Sequence, residues 1–232
     1  MEDKTEGIQH KAAMTTDMLS RSFTGRDALI AANFPILLLR LIGGNPRIEN
    51  EEILILLLAT LDNLLWGDIK AFCLEHNALN ILLEKVRHPR EEIRGHALSC
   101  ISLLCWDTDG KLEAVDKDVI VSVGKKLFEE DRKVNSKAAA AVTFASIKNE
   151  GRVRGTVQCI LDRLVELLED FHSRENQLMA AKALANIADV PAAREYLKNE
   201  KILGRIEGLY TGGDQHVERH RDILLDVINW EP

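Results

Sequence analysis

The segment AAKALANIADV, residues 180–190, decides the fold of this chain. Four of its first six residues are alanine, and neither Gly nor Pro interrupts it before Pro191. Small, helix-favouring side chains of this kind predict a helix that packs closely against its neighbours. Similar segments occur earlier in the chain, as KAAAAVTFAS at 137–146 and HALSCISLLC at 96–105. The recurrence indicates a protein built from repeats.

The repeats have a period of about 41 residues. Matching stretches begin at Asn77, Asp118 and Cys159, and the starts are 118 − 77 = 41 and 159 − 118 = 41 residues apart. A shorter match begins at Lys201, and an earlier one lies near Asn33. The sequence therefore predicts one continuous domain with four full units and a partial unit at each end: 1–32, 33–76, 77–117, 118–158, 159–200 and 201–232.

Each unit contains patterns for three helices. A short segment precedes an apolar, amphipathic helix such as ILDRLVELLEDF at 160–171, and a polar turn leads to a longer third helix such as NQLMAAKALANIA at 176–188. The β-branched segment VIVSV at 119–123 would indicate a strand in isolation, but its place in the repeat predicts a second helix. Three helices in about 41 residues are typical of armadillo repeats, whereas HEAT repeats of similar length have two.

The chain resembles the armadillo-repeat family over nearly its full length, through HALSCISLLC, KAAAAVTFAS and AAKALANIAD. The resemblance implies an all-α, right-handed superhelical solenoid whose third helices line a concave face. It also implies a non-catalytic protein-interaction scaffold that uses no cofactor or metal.

Two groups within the family suggest different partners. In nuclear-import adaptors, the third helix carries a Trp and, four residues later, an Asn. Asn63 and Asn186 occupy the Asn position here, but the Trp position holds Ala or a polar residue. The segments at 176–197 and 140–152 are similar instead to the armadillo proteins of axonemal radial spokes. This second resemblance implies a structural subunit of the axoneme with other spoke subunits as partners. The alternative is a soluble adaptor that binds extended peptide cargo in transport or signalling.

Aligning the third helices predicts which side chains face a partner. An Asn on this face can both donate and accept hydrogen bonds with a partner backbone. Leu103 and Phe144 either form an apolar anchor between the amides or pack against neighbouring helices. The positions Leu61, Ile101, Val142 and Leu184 are predicted to be buried. The predicted partner-binding residues are Asn63, Ser99, Leu103, Ala140, Phe144, Lys182 and Asn186.

Several other functions are disfavoured by composition. A net charge of −7 argues against nucleic acid as a partner. The longest apolar run, at 53–66, is shorter than the roughly 20 residues that cross a bilayer. The charged start lacks the apolar core of a secretory signal, and four cysteines without CxxC spacing are typical of buried thiols in a reducing compartment. These features predict a cytoplasmic protein, with the axoneme as its location if the spoke resemblance holds.

Two local motifs have ordinary structural interpretations. His216 and His220 lie one helical turn apart, but the HExxH order is absent, so we interpret them as part of a solvated helix. The glycine-containing segment GRVRG at 151–155 and the pair Gly43-Gly44 are not followed by the GK[ST] of a phosphate-binding loop. We therefore expect these glycines to end helices.

Overall fold

The computed structural model describes residues 6–231, which contain sixteen α-helices, one 3-10 turn and no strand. The prediction of an all-α fold is confirmed. The chain divides into two compact units, residues 1–110 and 111–232.

In the first unit, three long helices pack side by side, and the shorter helices cover one side of them. We call the long ones third helices, after their place in the repeat: α1, α4 and α7. The helices are α1 Glu6–Ser20, α2 Phe23–Ala31, α3 Phe34–Ile42, α4 Glu51–Leu64, α5 Lys70–Glu75, α6 Ala78–Lys85 and α7 Glu91–Leu104, and α8 Thr108–Asp116 crosses the division between the units.

The second unit repeats this arrangement. Its third helices, α10, α13 and α16, again pack as neighbours in chain order. After α9 Val119–Gly124 and the 3-10 turn Lys125–Phe128, the helices are α10 Arg132–Ala145, α11 Asn149–Gly155, α12 Gln158–Leu168, α13 Arg174–Ala188, α14 Pro191–Leu197, α15 Glu200–Glu207 and α16 Gln215–Asn229.

Short polar side chains fix where the third helices begin. Asn50, Asp131, Ser173 and Asp214 each precede a third helix and accept a hydrogen bond from a backbone N–H of its first turn. Such caps satisfy donors that have no partner inside the helix. Polar residues of the turns thus cap α4, α10, α13 and α16, whereas α7 begins after Arg90 without a side-chain cap.

The β-branched segment at 119–123 is helical, as its place in the repeat predicts. Val119, Ile120 and Val123 of α9 are buried, which is the spacing of one helix face. Packing against α10 outweighs the weak local preference for a strand. The four predicted core positions on the third helices are also confirmed, since Leu61, Ile101, Val142 and Leu184 are fully buried.

A recurring glycine lets the first helix of a repeat approach the end of the preceding third helix. A Cβ on Gly25 would lie 2.0 Å from the carbonyl oxygen of Leu19, and one on Gly151 would lie 2.1 Å from that of Ala145. Gly110 approaches the carbonyl of Leu104 in the same way, at 1.9 Å. Any residue with a Cβ atom would require the backbone to shift at such a contact.

The role expected for Gly151 is wrong, because it lies inside α11. Gly155 is the last residue of α11, and a Cβ there would also clash with the side chain of Ile187. Close packing, and not helix termination, explains Gly151. Gly44 does have the predicted role, because it follows α3 with a φ of +87°.

Gly151→Ala should lower the free energy of unfolding by about 1–3 kcal/mol, because the added methyl group overpacks the contact with Ala145. Gly204→Ala is the matched control, since Gly204 lies in α15 with no atom within 4 Å of the added Cβ. That change should raise stability by about 0.5–1 kcal/mol. Urea denaturation of both variants measures the difference, and equal effects would contradict the close-contact explanation.

Candidate functional site: the third-helix faces

On α4, α7, α10 and α13 one stripe remains accessible and the other sides are mostly buried, whereas α1 and α16 are accessible over more of their surface. We call these stripes together the third-helix face of a unit. In the first unit the face includes Glu52, Leu56, Ala59 and Asn63 of α4 and Glu92, His96 and Ser99 of α7. In the second unit it includes Lys133, Lys137, Ala140 and Phe144 of α10, Glu175, Met179, Lys182 and Asn186 of α13, and His216, His220, Ile223 and Val227 of α16.

Six of the seven predicted partner-binding residues are partly accessible on these faces, and one is not. Leu103 is only 6% exposed and belongs to the core, so its predicted role as an accessible anchor is not supported. Its equivalent on α10, Phe144, is half-buried. The sequence allows both residues to be either an anchor for a partner or part of the core. The structure separates them, because Leu103 lies in the core and Phe144 stays accessible.

The two predicted asparagines join neighbouring third helices. The Nδ2 of Asn186 donates to the carbonyl oxygen of Thr143 at 2.9 Å and lies 3.5 Å from Ser146 Oγ, both at the end of α10. The Nδ2 of Asn63 donates to Ser20 Oγ at 2.9 Å, at the end of α1. The sequence predicts an amide open to a partner as both donor and acceptor, but Asn186 uses its donor side within the protein and Asn63 uses one of its two N–H groups. The Oδ1 atoms of both asparagines accept no hydrogen bond from residues 6–231.

Ser99 is also linked to the neighbouring third helix. Its hydroxyl donates to Asp62 Oδ1 at 3.0 Å, and His96 Nδ1 lies 3.9 Å from the other oxygen of the same carboxylate. The three side chains connect α7 with α4 within the first unit. Ser99 therefore offers a partner less hydrogen-bonding capacity than its accessibility indicates.

Asn186→Ala should lower the free energy of unfolding by about 1 kcal/mol, the typical net value of such a hydrogen bond. Asn186→Asp should be at least as destabilising, because a carboxylate cannot donate and would face the carbonyl of Thr143. Asn229→Ala serves as the control, since Asn229 is exposed at the end of α16 and should change stability by less than about 0.5 kcal/mol. Urea denaturation of the three variants is the measurement. Unchanged stability of Asn186→Asp would show that the amide does not hold the helices together.

Two exposed tryptophans lie outside the predicted partner-binding set. Their place just after the third helices favours residues that fill gaps between units, but Trp66 and Trp106 are 62% and 49% exposed. They follow α4 and α7 and pack edge to face, with ring centroids 5.7 Å apart. Their identical place in the repeat, 40 residues apart, was the available signal.

Ion pairs between repeats use mostly arginine. Arg132 pairs with Asp170 at 3.2 Å, Arg205 with Glu169 at 2.6 Å and Arg174 with Asp214. The hydrogen bond from Arg174 lowers the pKa of Asp214, with further contributions from backbone N–H groups of α16. The Arg132 and Arg174 pairs lie at the starts of α10 and α13, and the Arg205 pair joins α15 to the end of α12.

The lysines on the face of the second unit have no such partners. Lys133, Lys137 and Lys182 form no ion pair with any residue from 6 to 231. Burial lowers the pKa of His220, and the nearby positive charge of Lys182 lowers it further, together with Arg219 and His216. The face of this unit is therefore a place where cations lie close together.

Three of the four cysteines are buried, as predicted, and one is not. Cys73, Cys100 and Cys105 are buried, and burial raises the pKa of Cys73 to about 12. Cys159 is exposed at the start of α12, which contradicts the expectation for this residue. It sits on the second-helix side of the repeat, away from the small-residue packing of the third helices.

Solved structures of designed proteins share this fold. The chain matches a designed armadillo repeat protein with a TM-score of 0.86 and 20% identity, over 98% of this chain and 96% of that one. It also matches a designed armadillo repeat protein solved in complex with the peptide (KR)4, with a TM-score of 0.84, 20% identity and the same coverage. Computationally designed armadillo repeat proteins for modular peptide recognition match with a TM-score of 0.83 and 21% identity, over 97% of this chain and 95% of that one. The chain thus has the armadillo fold.

No protein-family profile and no curated protein sequence matches the chain. Between residues 6 and 231, no helix combines the length and the apolar character needed to cross a bilayer. The same part of the chain brings together no group of three or more His, Cys, Asp or Glu side chains that could hold a metal ion.

Proposed function

We propose that this chain is a non-catalytic scaffold that binds protein partners on its third-helix faces. The observation that carries the proposal is the accessible stripe that recurs on the adjacent helices α4 and α7, and again on α10 and α13, whose other sides are mostly buried. Two similar designed proteins are described as peptide-bound or made for peptide recognition. An extended segment of a partner, held across neighbouring third helices, is the ligand that this arrangement favours.

Individual side chains on the faces support this proposal. In the second unit, the half-buried ring of Phe144 lies one repeat before Asn186, whose free Oδ1 can accept a hydrogen bond from a partner's backbone N–H. In the first unit, the exposed pair Trp66 and Trp106 follows the ends of α4 and α7, outside the third-helix face as defined above. Aromatic side chains at such positions are enriched among the residues that dominate binding energy. Binding of this kind requires no cofactor and no reaction step.

Phe144→Ala tests the proposal. Peptides selected by display against the whole chain should lose at least about tenfold in affinity, as expected when a central anchor is truncated. Fluorescence anisotropy measures the affinity, and urea denaturation measures stability in parallel. A stability loss near 3 kcal/mol or more would assign Phe144 to the core instead, in line with other truncations of packed aromatic residues.

Phe128→Ala is the matched control. Phe128 is 52% exposed in the 3-10 turn before α10, and it lies near the guanidinium of Arg163, at 5.9 Å from the ring centroid. Because it is not on a third helix, its truncation should leave peptide affinity within twofold. Selected peptides that depend on Phe128 and not on Phe144 would place binding on the second-helix side and refute the proposal.

We further propose a structural role in the axoneme, as a subunit of the radial spoke. What supports this narrower role is the likeness of residues 140–152 and 176–197 to armadillo proteins of that assembly. The alternative is a soluble adaptor that carries peptide cargo in transport or signalling. Both roles use the same third-helix faces and differ in where the protein is held.

Fractionation of ciliated cells separates these two roles. An axonemal subunit should co-sediment with isolated axonemes and stay there when the salt concentration is raised, because assembly contacts in a spoke bury large areas. A soluble adaptor should appear in the supernatant, in equal amounts in cells with and without cilia. Tagged protein found in the second pattern would end the axonemal proposal and leave the scaffold proposal intact.

A further inference from the structure

The third-helix face of the second unit concentrates positive charge on a chain that is negative overall. Lys133 and Lys137 lie one turn apart on α10, and Lys182 lies on the neighbouring helix α13. His216 and His220 continue the face on α16. The net charge of the whole chain is −7, so this cluster runs against the average composition.

These lysines are not used for folding contacts. The repeats of the second unit are joined by arginine–carboxylate pairs near the starts of the third helices, such as Arg132 with Asp170. Lys133, Lys137 and Lys182 make no ion pair within residues 6–231. Their mutual repulsion is a cost to the folded protein that a negatively charged ligand would relieve.

Carboxylates lie at both ends of this face, since Asp189 and Asp226 line a cavity with Val227 at the ends of α13 and α16. Glu175, at the start of α13, is exposed and forms no ion pair with a described residue, and it occupies the position equivalent to Lys133. It offsets part of the charge at that end of the face. Lys137 and Lys182, one to two turns further along their helices, lie beyond it and form the centre of the cationic surface.

The spacing of the lysines fits an extended peptide. Lys137 lies on α10 and Lys182 on the neighbouring helix α13, so a peptide that crosses the two helices can reach both. Neighbouring helices pack about 8–10 Å apart, which is about three residues of extended chain. Small and apolar side chains, among them Ala140 and Met179, lie between the cations and can contact the peptide's other side chains.

We propose that the third-helix face of the second unit binds an acidic, extended peptide segment of a protein partner through Lys137 and Lys182. This inference rests on the proposed function and specifies the partner's chemistry. A peptide is favoured over a nucleic acid because the cations occupy a short face among apolar side chains. A longer polyanion would meet the carboxylates that dominate the rest of the chain.

The test compares how two labelled octapeptides of opposite charge, (Glu-Asp)4 and (Lys-Arg)4, bind to the full chain. The acidic peptide should bind in 20 mM salt, and its affinity should fall as the salt concentration rises to 200 mM. The double variant Lys137→Ala and Lys182→Ala should bind the acidic peptide about tenfold more weakly, since each exposed ion pair changes affinity by a few-fold. The double variant should not lose affinity for (Lys-Arg)4.

The matched control replaces Lys125→Ala and Lys201→Ala, which removes the same charge from exposed positions outside the third helices. The affinity of this control variant for (Glu-Asp)4 should stay within twofold of the affinity of the unsubstituted chain. The inference is overturned if the acidic peptide does not bind, or if its affinity does not change when Lys137 and Lys182 are replaced. Tighter binding of an eight-nucleotide single-stranded DNA through the same two lysines also overturns it.

The outcomes separate this inference from the proposed function. If the acidic peptide fails but display-selected peptides still depend on Phe144, the face binds a partner of other chemistry and only the inference is lost. If (Glu-Asp)4 and the selected peptides depend instead on Lys125, Lys201 or Phe128, binding lies off the third helices and both proposals fail.

Discussion

Close packing of neighbouring third helices through small side chains is the constraint on which the rest of this structure depends. The hydroxyl of Thr143 on α10 donates to the carbonyl oxygen of Met179 on α13 at 3.0 Å, and buried alanines occur on both helices, among them Ala138, Ala141, Ala180 and Ala183. Small side chains permit a short distance between helices, and burial on several sides leaves a single stripe accessible on α4, α7, α10 and α13. The binding faces are therefore a direct consequence of how the core is packed.

The repeat and its helices could be predicted from the sequence because they depend on patterns longer than any one segment. The helix at 119–123 is the clearest case, since only its place in the repeat outweighs its β-branched residues. The glycines of α11 could not be assigned in the same way. Whether Gly151 ends a helix or admits a carbonyl of the preceding helix depends on the angle between helices, which local sequence does not contain.

The equivalent positions of the candidate site on successive third helices could be predicted, but the contacts of their side chains could not. A rotation of a helix by a fraction of a turn decides whether a side chain at such a position is buried or accessible. It places Leu103 in the core, while Phe144 in the equivalent position stays half-buried. The Nδ2 group of Asn186 is used by the neighbouring helix because Ser146 and the Thr143 carbonyl end α10 beside it. Both outcomes depend on a neighbour about 40 residues away.

Charge distinguishes the stripe of α10 from those of α4, α7 and α13, although the four helices follow one plan. On α4 and α7 the accessible stripes begin with Glu52 and Glu92, and Arg90 pairs with Glu52 at 2.6 Å. On α10 the equivalent position is Lys133, followed by Lys137 without a partner. Side chains on an accessible stripe can change without disturbing the small-residue packing beneath them. The fold thus fixes where a partner segment can lie, and the chemistry of each stripe determines which segment it is.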